Sequence, residues 1–358
     1  MFSMKRWSAA AVAISMVLAL AACGSDDESA SAVSDPSAPL EKCDGTKIKF
    51  QLSFFPNAQY VALMVAQNRG FFEEAGVDVE LVDGGPNISA PAQMGQGLAD
   101  LGLLQFDETQ NANLSGADFV WIGQYYQKSP VLFAAMKDTP FADGADLKGL
   151  TTNTNSGDLD PELHALMEQA GVAEDEVEIV PASPSVSDLI NGTVDMYQLQ
   201  RFFHVAEIES LGMSLEEDFN TIDANEAGVA LPAHGVVANR EFLDANPDAV
   251  GCFLAGLIKG VNTVLADPEG AVADVDAMSM EGLATHEQNI VNVQETIKLM
   301  SERPDGSPVD PLVIDEEWLA DGQEQSLEFG ILPEAPDLDT FVDPAPLARA
   351  EKLAETLG

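Results

Sequence analysis

Positive charge is scarce in this chain. Its 358 residues hold 16 Lys and Arg against 60 Asp and Glu, a formal net charge of −44. No basic stripe is present, which excludes nucleic acid as a natural partner. The acids are spread along the whole sequence and read as a solvated surface, and an anionic ligand would need a local positive site to overcome that background. Cysteine is as rare: Cys23, Cys43 and Cys252 stand in no Cys-x-x-Cys spacing, and His164, His204, His234 and His286 show no ligand spacing. No metal centre is expected from such a set. The chain contains no G-x-x-x-x-G-K-[ST], no H-E-x-x-H and no G-x-S-x-G, so no sequence motif points to bond-breaking chemistry and no cofactor is expected.

The first residues carry an export signal. Lys5 and Arg6 precede an apolar run over residues 9–22, too short to span a bilayer comfortably and suited to a signal-peptide core. Leu20-Ala21-Ala22-Cys23 has the small-residue pattern of a bacterial lipoprotein cleavage site, which makes Cys23 the expected lipidated N-terminus. An ordinary secretory signal that happens to hold a Cys is the alternative. Acyl chains contribute about 0.8 kcal/mol per buried CH₂, so several of them anchor a protein durably. Residues 24–40 are rich in Ser, Ala, Asp and Pro with no apolar period, the composition of a tether. Removing residues 1–22 takes away Lys5 and Arg6 but no acid, so −44 becomes −46. Outside the cytoplasm a Cys43–Cys252 disulfide is allowed, with two free thiols as the other possibility. The folded remainder exceeds what one core usually supports, which argues for two lobes.

Residues 47–126 organise the rest. Residues 47–54 are strand-like, Pro56-Asn57 breaks the run, and residues 58–69 suit a helix that Gly70 ends. Residues 77–82 alternate apolar with acidic as a second strand should, and residues 99–104 and 119–125 make a third and fourth, with short helices between. This grammar predicts a parallel sheet. Ligands bind outside the carboxyl ends of such strands, where the loops carry Asn57, Gln59, Gln105, Asp107, Tyr125 and Tyr126, a set suited to binding more than to catalysis.

A second round starts with a strand at residues 131–137 and continues with strands at 147–152, 177–180 and 194–199. Asp160-Pro161-Glu162 opens a helix that runs to Ala170, and Gly171 stops it. Residues 153–158, 182–185 and 198–204 are the expected loops of this lobe. Residues 235–239 make a return strand, helices follow over 241–245 and 247–265, and the largely helical remainder is expected to wrap lobe one, with 332–346 irregular.

Phe54-Phe55-Pro56-Asn57, the stretch from Ala66 through Phe71-Phe72, and Gly76-Val77-Asp78-Val79-Glu80-Leu81 carry a specific likeness. Gly97-Leu98-Ala99-Asp100, Asp146-Leu147-Lys148-Gly149, residues 189–195 and Ala238-Asn239-Arg240-Glu241-Phe242-Leu243 extend it. In order and spacing these resemble the periplasmic binding proteins for thiamine pyrimidine precursors, with aliphatic-sulfonate, taurine and riboflavin binders as relatives. The likeness covers roughly residues 47–266. It implies a two-lobed α/β fold of periplasmic-binding-protein type II, each lobe a mostly parallel sheet flanked by helices. Residues 46–130 and 239–358 would form lobe one and residues 131–238 lobe two, hinged by two crossings, with 1–22 the signal and 23–45 the lipidated Cys and tether.

The function implied is a monomeric, membrane-anchored solute-binding subunit of an ABC importer, working with permease and ATPase subunits on a small molecule and performing no catalysis. Fungal pyrimidine synthases share the fold but use a pyridoxal-phosphate lysine and a cysteine-rich segment. This chain has no such cluster and carries an export signal.

Within the family pattern, Phe54 stands at a Trp position, Asn57 at the Asn and Tyr60 at a His. They offer an aromatic platform for a flat ring, or else they pack the core and shape a turn. The expected ligand set is Phe54, Asn57, Tyr60, Gln105, Asp107, Tyr125, Asn155, Ser156, Gln198, Arg201 and Phe202. Pyrimidine binders carry a Glu after the strand ending at Leu199, where this chain has Arg201-Phe202-Phe203-His204-Val205. Arg201 suits a carboxylate, sulfonate, phosphate or ring carbonyl, or an inter-lobe salt bridge. A heteroaromatic vitamin-related ligand is therefore the first expectation and a small organic anion the second.

Overall fold

Strand β1 (Thr46–Gln51) turns Ile48 and Phe50 inward and Lys47 and Lys49 outward, the period-two pattern of a strand covered on one face. It pairs in parallel with β2 (Val77–Val82), where Val77 and Val79 are buried and Asp78 and Glu80 are exposed. On its other side lies β3 (Leu101–Leu104), parallel and wholly buried. The structure is a computed structural model that describes residues 39–154, 160–181 and 185–358. The export signal, Cys23 and nearly all of the tether, together with Asn155 and Ser156, lie outside the described residues.

Helix α1 (Val61–Asn68) ends where Gly70 takes φ 78°, and α2 (Phe71–Ala75) follows at once. Both pack against α11 (Pro247–Ala266). That helix is long and apolar enough to cross a membrane, yet most of it is buried in this core. A Cβ on Gly256 would stand 2.6 Å from the Phe72 ring, and one on Gly260 would stand 2.4 Å from the Ala62 carbonyl oxygen. Helical Gly costs about 0.5–1 kcal/mol. The close approach it permits lets Phe253 stack between Phe50 and Phe72, at 5.2 and 5.1 Å between centroids.

The chain leaves this lobe through β4 (Phe119–Gln124) and enters a second sheet at β5 (Val131–Met136). There β5 is central and antiparallel to both β8 (Met196–Gln200) and β9 (Phe219–Asp223). Strands β6 (Thr151–Thr154) and β7 (Glu178–Pro181) pair in parallel, and Asp195 N–H donates to the Thr151 carbonyl to set them beside β8. The chain returns at β10 (Gly235–Asn239), which inserts antiparallel between β3 and β4. Each antiparallel strand, β5 and β10, arrives from the other lobe rather than through a crossover helix, so the crossover rule for parallel pairing does not bind it. Because β10 belongs to the first sheet, lobe one resumes at Gly235, ahead of the boundary at 239.

Three further expectations need correction. The strand placed at 147–152 is β6, Thr151–Thr154, since Asp143 and Asp146 cap a 3₁₀ turn over Gly144–Leu147 just before it. Residues 198–204 are no loop, because β8 runs to Gln200 and α7 (Arg201–Ser210) begins at the next residue. The C-terminal helices do not cover lobe one alone. Helix α12 (Pro268–Met278) and α16 (Ala345–Ala354) do, but α13 (His286–Ser301) packs on α7 of the second lobe, and α14 (Glu316–Glu328) meets α5 (Pro161–Ala170). No sequence signal marks β9, whose alternation is blurred by Asn220 and Thr221. The edge of β4 is covered by single chain contacts, Gln124 N–H to the Leu312 carbonyl and Asp343 N–H to the Trp121 carbonyl.

The thiol question closes on a disulfide. Cys43 and Cys252 are joined with their Cα atoms 6.3 Å apart, fastening residues 40–45 to α11.

The two crossings touch. Tyr125 and Tyr126 both donate backbone N–H groups to the His234 carbonyl at 3.0 Å. Ser129 and Asn225 exchange two hydrogen bonds at 3.0 Å. A hinge built this way bends as one strap.

Candidate ligand-binding site

The loops that leave the carboxyl ends of the parallel strands are where the expected ligand residues fall. On the first lobe, Phe54 is 37% exposed and meets Phe55 edge-on at 5.0 Å. Tyr60 is buried beneath it, its Oη bonded to Ser53 Oγ (2.9 Å) and accepting from Phe54 N–H (2.6 Å). Tyr60→Phe removes that hydroxyl from both Ser53 Oγ and Phe54 N–H at once. It should cost about 1–2 kcal/mol in urea unfolding and loosen the 53–57 turn; an unchanged midpoint would show that the hydroxyl holds nothing.

The structure separates the expected ligand residues. Phe54 lies just beyond β1, Gln105 and Asp107 at the start of α4, and Gln198 near the end of β8. Asn57 is buried and spent on its own turn, donating to the Phe55 carbonyl and accepting from Gln59 N–H. Tyr125 sits in the core, its Oη accepting from Ala62 N–H. Phe202 packs in the same core, 5.9 Å from Tyr126. Arg201 is consumed by salt bridges to Asp223 (2.6 Å) and Glu295 (3.7 Å), the inter-lobe alternative that its sequence context left open.

Among the acids gathered here, Asp107 was expected from the sequence, whereas Glu108, Asp160 and Glu162 were not. Helix α4 (Phe106–Leu114) carries Asp107 and Glu108 in its first turn, and α5 carries Asp160 as N-cap and Glu162 in its first turn. Burial pushes Glu162 up to about 8, with the charges of Asp107 and Asp160 adding to it. Burial and then the charge of Asp107 push Glu108 up to about 7, and burial raises Asp107 and Asp160. Since Asp107 belongs to the first lobe and Glu162 to the second, their mutual repulsion acts across the cleft. Ser129 Oγ, on the first crossing, donates to Glu162 at 3.3 Å. The pattern was visible as two acidic loop-to-helix junctions, each at the carboxyl edge of a sheet.

Beside this group runs an aromatic wall. Asp160 also acts on Tyr197, which is bonded to His204 at 3.1 Å. His204 Nδ1 accepts from Gln200 N–H at 2.8 Å, and burial lowers its pKa to about 4, so the ring is neutral with its proton on Nε2. Next to it a cavity of about 320 Å³ is lined by Ser185, Phe203, His204 and Glu207 of lobe two and by Leu283 and Asn292 of the C-terminal region. A wider hollow of about 590 Å³ lies at the opposite strand edge, around Asn113 and Arg240. Its one cation, Arg240, is held by Asp118 and the Thr340 carbonyl.

This geometry has known counterparts. The chain is 24% identical over 237 residues to a formylaminopyrimidine-binding protein of Halalkalibacterium halodurans, covering 63% of this chain and 68% of that one. It is 21% identical over 270 residues to the riboflavin-binding protein RibY of Chloroflexus aurantiacus, covering 72% and 74%. It is 24% identical over 244 residues to a 4-amino-5-hydroxymethyl-2-methylpyrimidine phosphate synthase of Saccharomyces cerevisiae, covering 62% and 68%. In three dimensions it matches the alkanesulfonate-binding protein SsuA from Xanthomonas axonopodis pv. citri with a TM-score of 0.64 at 15% identity, over 84% of this chain and 99% of that one. Residues 57–271 fit the family described as NMT1/THI5 like, and the chain belongs to that family.

Proposed function

We propose that the chain is the extracytoplasmic solute-binding subunit of an ABC importer. It captures a small heteroaromatic vitamin-related molecule, a pyrimidine precursor or flavin-like ring, and closes its lobes around it unchanged. The observation that carries this reading is the pair of α/β lobes joined by one bonded pair of crossings. A guest touching both lobes gains affinity only when they close, so binding drives closure. Relatives named for binding formylaminopyrimidine and riboflavin support a flat ring. The cleft's acids and the engagement of Arg201 by Asp223 and Glu295 weigh against the organic-anion alternative. Lipidation at Cys23, a tether after it and a monomeric state complete the proposal, with permease and ATPase subunits as partners.

The test is native mass spectrometry of residues 24–358 as purified, followed by a thermal-shift panel of pyrimidines, flavins and sulfonates. A ligand at one hundred times its Kd should add about 2.7 kcal/mol to stability. Arg201→Ala should leave the affinity of the ligand found within threefold, because that guanidinium serves the crossing. No stabilising compound at large excess would overturn the reading. The synthase alternative predicts a pyridoxal-phosphate adduct with a visible absorption band, whereas a binder stays colourless with that reagent.

A further inference from the structure

The cleft holds hydrogen-bond acceptors that lack donors. Glu162 is buried and receives one hydroxyl, from Ser129, and the charge of Asp107 reaches it from the facing lobe. A second observation comes from Gln198, which is 9% exposed and whose Oε1 has no hydrogen-bond partner among the described residues. Its direction follows from the sheet. Gln198 pairs with Phe133 and lies two residues beyond Met196, so all three share one face. Phe133 and Met196 pack with Leu163 and Leu166 of α5. Gln198 is therefore turned toward α5, nearer the strand's carboxyl end, where that helix begins and Glu162 stands.

The nearby cations are spoken for. Lys128 is bonded to Glu302 at 2.7 Å, and Arg201 is bonded to Asp223. An unpaired buried carboxyl or amide oxygen loses its water without recompense. What this site lacks is N–H, and the guest must bring it.

We propose that Asp107 and Glu162, facing each other across the cleft, read an amino or amidine-type edge of the bound ring, with Gln198 accepting a further N–H. This deepens the function proposed above and rests on it. It also supplies, from the first turns of α4 and α5, the carboxyl group that this chain lacks after β8, where Arg201 opens α7. With Glu162 ionised, above the pH near 8 at which its carboxyl titrates, a guest with an exocyclic amino group satisfies the acceptors, one with a carbonyl in its place sets lone pair against lone pair, and a sulfonate sets charge against charge.

The experiment is titration calorimetry on residues 24–358 at pH 9, where Glu162, which titrates near 8, is ionised. The probes are 4-amino-5-hydroxymethyl-2-methylpyrimidine, its 4-oxo counterpart and methanesulfonate. The wild-type protein should prefer the amino compound at least tenfold. Glu162→Gln keeps the shape and a partner for Ser129, and Asp107→Asn keeps the shape while removing the charge; each should cut affinity for the amino compound tenfold or more and erase the preference. Melting curves of ligand-free Glu162→Gln at or above the wild type show that the loss is not unfolding. Unchanged preference in both variants overturns the inference and leaves solute binding intact. So does tighter binding of methanesulfonate, or stabilisation by calcium ions alone, which would make the acids a cation site. If neither these probes nor flavins bind, the reading beneath falls as well.

Discussion

Raising the pH from about 6.5 to 8 should cost the ligand-free protein about 2–3 kcal/mol of stability. The largest share comes from Glu162, whose folded carboxyl titrates near 8 against an ordinary value of 4.5. A raised carboxyl favours the fold while it holds its proton, so its contribution is complete below pH 4.5 and is lost as the pH climbs through 8. One and a half pH units of that loss correspond to about 2 kcal/mol, and Glu108, titrating near 7, adds a smaller part. Two buried imidazoles act in the opposite sense. Burial holds His204 and His234 near 4, so each contributes stability above its ordinary 6.5 that is lost as the pH falls through 4. The two sets oppose each other below 6.5 and only the carboxyls act above it, which places the optimum near pH 6. Urea midpoints at pH 6.5 and 8 measure the effect directly, and Glu162→Gln should flatten the alkaline limb. A wild-type midpoint that does not move over that interval would mean the acids are solvated and charged throughout.

Replacing both Cys43 and Cys252 with Ala should lower stability by about 2–5 kcal/mol. The bond spans 209 positions of sequence, so it removes many conformations from the unfolded chain. It also fixes a strip with little other purchase. Leu40 leans on Gly251 of α11, and Cys43 and Gly45 donate backbone N–H groups to the Ala75 and Gly76 carbonyls. Gly76 cannot be larger, because a Cβ there would fall 2.0 Å from the Cys43 carbonyl oxygen. Denaturant unfolding with and without the bond checks the figure, and a loss under about 1 kcal/mol would assign the cross-link no more than a local role.

Where side-chain periodicity and backbone chemistry agreed, the fold was legible. Residues 77–82 alternate cleanly and form β2 to the residue, and Asp160-Pro161 and Gly171 bound α5 as read. Less of the site was legible, for a physical reason. Tyr60, Tyr125 and Phe202 are apolar bodies with one polar tip or none, so sequence cannot say whether a ring faces a guest or a core, and here all three are buried. Arg201 carried the same ambiguity as a cation among many acids, and its partners Asp223 and Glu295 lie 22 and 94 residues away, beyond any local pattern. Asp107 was among the expected ligand residues, but Glu108, Asp160 and Glu162 beside it were hard to single out, because 60 acids make any one of them look like solvated surface.

The placement of β10 sets an order of events during synthesis. The strands of lobe two are drawn from one unbroken stretch, β5 through β9, so its sheet can form as soon as that stretch has left the ribosome, before α13 and α14 arrive to pack on it. The other half must hold β3 and β4 apart, with their facing edges bare, until residues 235–239 emerge to fill the gap. The first half begun is thus the last one finished. A nascent chain stalled near residue 230 would display a formed second-lobe sheet beside an open, adhesive one.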